Sequence, residues 1–263
     1  MRPLTKKVKF RLDIVKFLMV IVATAGLICY CGSRTAYNWQ WYRVPTYIVS
    51  FESGKPVPGL LLKGLWITVQ ITSLSLIVTI ILGGIAALFR LSDSWSARII
   101  ARIYVELIRN TPLLVQLFFI YFVLSPVLNI SRFFSAVLAL SLFEGAYASE
   151  IFRAGIVSIH KSQWEAAFSL GFSRVHTYRW VILPQAVRRI LPPLTSQVIS
   201  LLKDSALVST IAIYDLAMQG QAIVAETYLT FEIWFVVAFI YLVIALILSF
   251  CVHYMEQRFK VET

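Results

Sequence analysis

From Leu65 to Phe89 the chain carries not one Asp, Glu, Lys or Arg. As an α-helix that run reaches roughly 37 Å, more than the ~30 Å hydrocarbon core of a bilayer. A second run, Phe231–Val252, carries a single charge, Glu232. Chains with such runs fold with lipid as part of their solvent, and within lipid only helices or closed barrels satisfy the backbone. Composition agrees, with 59% hydrophobic residues, only 14% charged and a mean hydropathy of +0.78. Soluble domains are nearer a quarter charged.

Four further segments complete the expected set of about six spans. They are Phe17–Gly32, Tyr104–Leu124, Phe134–Phe152 and a short one at Ile190–Leu202 opened by Pro192-Pro193. The last is followed by Lys203-Asp204 and a weak apolar piece, Ala206–Leu216. That pattern reads as an interrupted span, which a membrane tolerates where the broken backbone is buried or lines a cavity. Glu106 and Arg109 sit at i and i+3 and are expected to pair. Gly83 and Ala87 form a small-xxx-small pair that lets helix backbones approach closely.

The net charge is +11 and the pI about 9.7. Lys and Arg gather in the N-terminal arm, at Arg90–Arg102, through Arg153–Arg189 and at the C-terminus. Basic loops mark the cytoplasmic side, so both termini are expected there. The charge distribution shows no separate basic domain of the kind nucleic-acid binding needs. Residues 33–62 are polar and aromatic and read as an extracytoplasmic connection holding a hairpin or an interfacial helix. The first apolar run lacks a clean small-x-small cleavage site and reads as a retained helix rather than a signal peptide. Cys29, Cys31 and Cys251 fit neither a metal spacing nor a disulfide framework and are expected to be buried. The three histidines, His160, His176 and His253, have no ligand spacing. Asn129-Ile130-Ser131 matches a glycosylation triplet that means little outside a secretory eukaryotic context. No GxxxxGK[ST] loop is present, so no ATP hydrolysis is expected in this chain.

Arg153 to Arg189 is long and polar for a loop in so apolar a chain. Gln163–Leu170 is expected to form a short helix. Glu165 lies near its positive end, Gly171 stops it and Pro184 resets the backbone before the next span. Such a rigid piece between two spans can act as a mechanical contact, or simply lie in the interface as an amphipathic helix. The series Glu165-Ala166-Ala167, three residues, Gly171, nine residues, Val181-Ile182-Leu183-Pro184 resembles the EAA loop of importer permeases of the ATP-binding-cassette class. Arg109-Asn110-Thr111-Pro112-Leu113-Leu114-Val115-Gln116, Ala148–Ile156, Leu183-Pro184-Gln185-Ala186 and Leu201–Ser209 resemble the polar-amino-acid branch. The resemblance covers about Gly64 to the C-terminus.

The resemblance implies an all-α membrane protein with the type I importer permease fold. It divides the chain into residues 1–62 (arm, first span, extracytoplasmic segment) and 63–263 (transmembrane domain with the cytoplasmic loop 153–189). It implies coupling through Glu165, Ala166, Ala167, Gly171 and Pro184 to a cytoplasmic ATPase dimer, which would bind the ATP and Mg. It further implies a second permease chain, alike or different, an extracytoplasmic amino-acid-binding protein and the bacterial inner membrane. The cargo is expected to be a polar L-amino acid of the glutamate, aspartate or glutamine type. Independently of the resemblance, charges inside spans are expensive and usually face a partner or water. Glu144, Glu150, Lys203 and Asp204 are therefore candidates to line a translocation path. Each could instead serve in a structural ion pair, Glu150 with Arg153 and Lys203 with Asp204. Two rival functions remain: an ion-coupled carrier or channel working without ATPases, which an internal repeat would favour, and a membrane-embedded enzyme. The sequence contains neither the repeat nor a convergent set of His, Asp, Ser and Cys.

Overall fold

The computed structural model describes residues 14–24, 26, 30, 37–52 and 54–259. The chain divides into two units, Met1–Gln40 and Trp41–Thr263. In the first, an apolar helix α1 covers Ile14–Thr24. Most of the N-terminal arm, Cys29 and Cys31 lie outside the described residues.

The second unit opens with a turn of 3-10 helix at Trp41–Arg43 and a short helix α2 (Pro45–Ile48). A hairpin of β1 (Val49–Glu52) and β2 (Lys55–Pro58) follows, with Glu52 paired to Lys55 and Gly54 at φ +77° in the turn. Both forms expected for residues 33–62 are thus present. Helix α3 (Leu60–Leu91) is the first long span, with charge only at Lys63 near its start and Arg90 at its end. Its buried positions Gly64, Thr68, Thr72, Ser75, Thr79 and Gly83 recur at three or four residues, one face of a helix. Its Gly64–Thr68 end packs on residues 215–219, and its Ser75-to-Gly83 part on α7 (Arg132–Val157), where a Cβ added at Gly83 would stand 2.8 Å from the Ala148 Cβ and 3.0 Å from the Gly145 carbonyl oxygen. Small residues thus set the approach of the two helices. Ser141 Oγ donates to the Ser75 carbonyl across it at 3.2 Å.

The expected span Tyr104–Leu124 is not one straight helix. Helix α4 (Trp95–Arg109) ends at Asn110, and α5 (Leu113–Phe118) leaves at an angle of 106° to it. Pro112 disfavours helical backbone at Thr111, so α4 stops there. The carbonyls this exposes are taken up by Gln116, whose Nε2 donates to Ile108 O at 2.8 Å and Thr111 O at 3.1 Å. The Glu106–Arg109 pair does not form either. Glu106 accepts from Asn110 Nδ2 at 3.2 Å, while Arg109 turns toward Glu150 and lies over the Tyr147 ring.

After α5 the chain widens into a π-helical turn, Phe119–Leu124, and closes with α6 (Ser125–Leu128). A second π-turn, Thr177–Ile182, joins α9 (Arg174–His176) to α10 (Leu183–Asp204). Each π-turn ends two residues before a proline, Pro126 and Pro184. Proline cannot donate to the carbonyl four residues back and its ring clashes with it, and the wider turn absorbs the mismatch. The span expected at Ile190–Leu202 therefore begins seven residues earlier, at Leu183, and continues through Pro192-Pro193. A 3-10 segment, Ser205–Ile211, carries it to a break before α11 (Leu216–Thr227), bent by 47°. The interruption expected after Asp204 is real, but it falls at Ala212, which takes up φ +56°, rather than at Lys203-Asp204.

Helix α12 (Thr230–Phe259) ends the chain, and hardly any of its apolar window, Thr230–Val252, is covered by the protein. Cys251 sits on that uncovered surface and is exposed, not buried as expected. A thiol is apolar enough to face lipid. Among the described residues three helices are long and apolar enough to cross a membrane, five if each bent pair counts as one span, with the shorter α1 besides.

Candidate functional site

Helix α8 (Lys161–Ser169) stands between the spans α7 and α10. It forms where expected and is capped at both ends. His160 Nδ1 accepts from the Ser162 amide at 3.2 Å. At the other end Gly171 has φ +80°, and the amides of Gly171 and Phe172 bond back to the carbonyls of Phe168 and Ala167. That is the left-handed termination glycine supplies without strain. Ala167 is buried, whereas Glu165 and Ala166 are exposed. So are Phe168 (45%), Leu170 (76%) and Phe172 (40%). Pro184 lies in the first turn of α10, where its missing N–H costs least.

Several side chains tie α8 and the Ser158 end of α7 to α10 and the π-turn before it, none of them expected from the sequence. Gln185 Nε2 donates to Gln163 Oε1 at 3.2 Å, and Arg189 donates to the Ser158 carbonyl. Trp164 meets the Tyr178 ring edge-on at 4.8 Å. Beneath them Ile156, Ile159, Ile182, Ala186 and Ile190 form an apolar cluster between α7 and α10. Gln185 stood within the quoted Leu183–Ala186 stretch. Its partner could not be read there, since Gln163 is 22 residues away.

The four charges expected near a path fall into two groups, because Glu144 and Glu150 are almost two helical turns apart on α7. Glu150 sits among three arginines from three helices. Arg90 of α3 reaches its Oε1 at 2.6 Å, Arg109 of α4 at 3.4 Å, and Arg153 of α7 its Oε2 at 3.1 Å. The Arg153 pairing was foreseen. Arg90 and Arg109 were not, being 60 and 41 residues away.

Glu144 is wholly buried at the α7–α10 contact. Its Oε2 accepts from Gln197 Nε2, and the Asp204 carboxyl is its acidic neighbour. Among the described residues its Oε1 has no hydrogen-bond partner. Lys203 is exposed and Asp204 half-buried. They form no ion pair among the described residues. Another buried carboxyl, Asp215, caps α11 by accepting from the Met218 amide at 2.9 Å and from Tyr241 Oη at 3.4 Å. Thr68 of α3 accepts from the neighbouring Leu216 amide. This knot ties α3, α11 and α12 together and is structural. Among the described residues no group of three His, Cys, Asp or Glu could hold a metal ion.

Residues 79–261 match the model of the family described as binding-protein-dependent transport system inner membrane component. The chain belongs to this family, whose members are permease subunits of ABC importers, and its fold is that of a type I importer permease. It is 42% identical to the glutamine transport system permease protein GlnP of Escherichia coli over 209 residues, 78% of this chain and 95% of that one. It is 44% identical to the L-cystine transport system permease protein TcyB of Bacillus subtilis over 198 residues, 74% of this chain and 84% of that one. Among solved structures, an amino acid ABC transporter crystallised with histidines matches with a TM-score of 0.71 at 39% identity, covering 76% of this chain and 94% of that one. The family's description and the relatives' names are those of membrane transport components.

Proposed function

We propose that the chain moves a polar L-amino acid of the glutamine, glutamate or aspartate type into the cytoplasm, driven by ATP hydrolysis in a separate ATPase dimer docked on α8. The observation that carries this reading is α8 itself: a helix capped at both ends, with Phe168 on it and Leu170 and Phe172 just after it exposed, tied to α10 by Gln185 on Gln163 and flanked by the Arg189 bond to the Ser158 carbonyl. Exposed apolar residues on a rigid element suit docking to a protein partner. Force applied at Glu165–Gly171 passes through these ties into α10, which carries Gln197 and Asp204 at the Glu144 site. The coupling residues are Glu165, Ala166, Ala167, Gly171 and Pro184. ATP and Mg bind in the partner, and a second permease chain and an extracytoplasmic amino-acid-binding protein complete the importer. Both termini and the 153–189 loop face the cytoplasm of a bacterium, in keeping with the arginines at positions 90–102 and 153–189. Residues 63–263 make up the transporting domain, with 1–62 an accessory segment.

The buried Glu144 and the half-buried Asp204 offer an acidic pair for the ammonium of the cargo, Glu144 Oε1 being unpartnered among the described residues. Lys203, exposed beside them, suits a carboxylate. Glu150, held by three arginines, belongs to the cytoplasmic end of the path. The names of the E. coli and B. subtilis relatives, for glutamine and L-cystine, favour a polar amino acid as cargo.

The test is reconstitution of the chain with the ATPase that co-purifies with it. Glu165→Lys or Gly171→Asp is expected to lower ATP-dependent amino-acid uptake at least about ten-fold while insertion is unchanged. Normal coupling in both variants rejects the role of α8, and solitary uptake by the chain without any ATPase selects the ion-coupled carrier instead. Glu144→Gln keeps the shape and the Gln197 contact but removes the charge. Uptake is expected to fall about ten-fold or more with basal ATPase activity intact, and unchanged uptake excludes Glu144 from cargo binding.

A further inference from the structure

A continuous groove runs between α3, α10 and the α8–α9 region. Its membrane-side part is a slot of about 370 Å³ with almost no polar surface, walled by Ile80, Gly84, Phe152, Val187 and Leu191. A Cβ built at Gly84 meets nothing within 4 Å, so the slot is open at that point. Through Leu88, Ile156 and Leu183 the slot joins a second cavity of about 510 Å³, which holds Arg174, Tyr178 and Arg179. Through Leu88, Arg174 and Tyr178 this leads to a third of about 440 Å³, lined by Asp93 and Trp164. The groove is thus apolar at one end and mixes aromatic and basic side chains, with the one carboxylate Asp93, toward the other.

We propose that this groove binds an anionic phospholipid, with an acyl chain in the Gly84 slot and the phosphate at Arg174 and Arg179. Three observations favour a lipid over other occupants. The slot offers no group to a polar solute. An apolar slot that opens onto mixed aromatic and basic side chains, Tyr178 and Trp164 with Arg174 and Arg179, matches the step from lipid tail to headgroup region. The charge at the mouth is complementary, with two arginines against one carboxylate, Asp93. The Arg174–Asp93 pair at 3.0 Å is almost fully exposed on both sides, so it is weak and Arg174 exchanges it readily for a phosphate. Arg179 rests over the Trp180 ring with its other face open to a ligand. A second copy of the chain seated here by a two-fold axis would bring like arginines together. A lipid so placed spans the end of α3 and the base of α10. It links the composition of the cytoplasmic leaflet to the element that carries α8, whatever drives transport.

The test uses the full chain in the assembly with which it purifies. It is exposed to an equal mixture of phosphatidylglycerol and phosphatidylcholine, and retained lipid is counted by native mass spectrometry. The wild type is expected to retain phosphatidylglycerol over phosphatidylcholine by at least about five-fold, the worth of one basic residue beside an anionic headgroup. The double variant Arg174→Ala, Arg179→Ala is expected to retain the two lipids alike. Gly84→Leu fills the slot without touching the mouth and is expected to lose both. Val187→Trp fills it from α10 and serves if Gly84→Leu fails to assemble. The proposal is overturned by equal retention of the two lipids in the wild type, or by undiminished retention in the slot-filling variants. A disulfide between two copies through Leu88→Cys in membranes overturns it as well, since a second chain would then cover the groove.

Discussion

Gly83→Leu is expected to disrupt the protein far more than Gly84→Leu, its immediate neighbour in the same helix. The two changes have the same helix propensity and hydrophobicity, so they differ only in what the new side chain meets. At position 83 even a Cβ stands 2.8 Å from Ala148 and 3.0 Å from the Gly145 oxygen, and at position 84 it meets nothing. A leucine at 83 must push α7 off α3 along the seam that also holds Ser75 and Ser141. Overpacking of this kind costs about 1–3 kcal/mol and more where backbone must move. A fall of roughly 5–10 °C in the midpoint of thermal aggregation is expected, with reduced yield. Equal melting of the two variants would show that the α3–α7 approach is not set by Gly83.

Glu150→Ala is expected to be the most damaging charge deletion. It leaves Arg90, only 16% exposed, without its partner, and removes the one acidic group tying α3, α4 and α7 together. Stranding one member of a buried pair costs roughly 3–5 kcal/mol. Glu150 is 26% exposed, so solvent screening lowers the expected loss to about 1–3 kcal/mol. Adding Arg90→Leu removes the stranded charge and is expected to recover about half of it, giving a coupling energy in a double-mutant cycle. The measurement is the melting midpoint of the four proteins in one detergent. Strictly additive effects would mean that the two residues do not interact in the membrane.

The long spans were legible because their signal is local. Leu65–Phe89 and Phe231–Val252 have no reading other than a membrane helix, and both appear with the ends expected to within a few residues. The capped helix at 161–169 was legible for the same reason, since Gly171 and the Glu165-Ala166-Ala167 series lie within one stretch. Hydropathy failed at Tyr104–Leu124, where it averages over a corner. Pro112 was in plain view, but only the Gln116 hydrogen bonds to α4 carbonyls show that the backbone turns there instead of kinking. It failed again at Ile190–Leu202, where Pro192-Pro193 looked like a start and proved internal.

By itself, then, the sequence determined the solvent, the class of fold and the capped helix α8, because hydropathy, capping and motif spacing act over a few residues. Only the tertiary structure decided what those residues do to one another. It gave Glu150 to Arg90 and Arg109 rather than to Arg153 alone, brought Gln197 and Asp204 to Glu144, and opened a groove at Gly84 while closing the same helix at Gly83. These are relations between segments tens of residues apart, set by how the helices cross. Pairing energies of a few kcal/mol leave no periodicity in the chain from which they could be read.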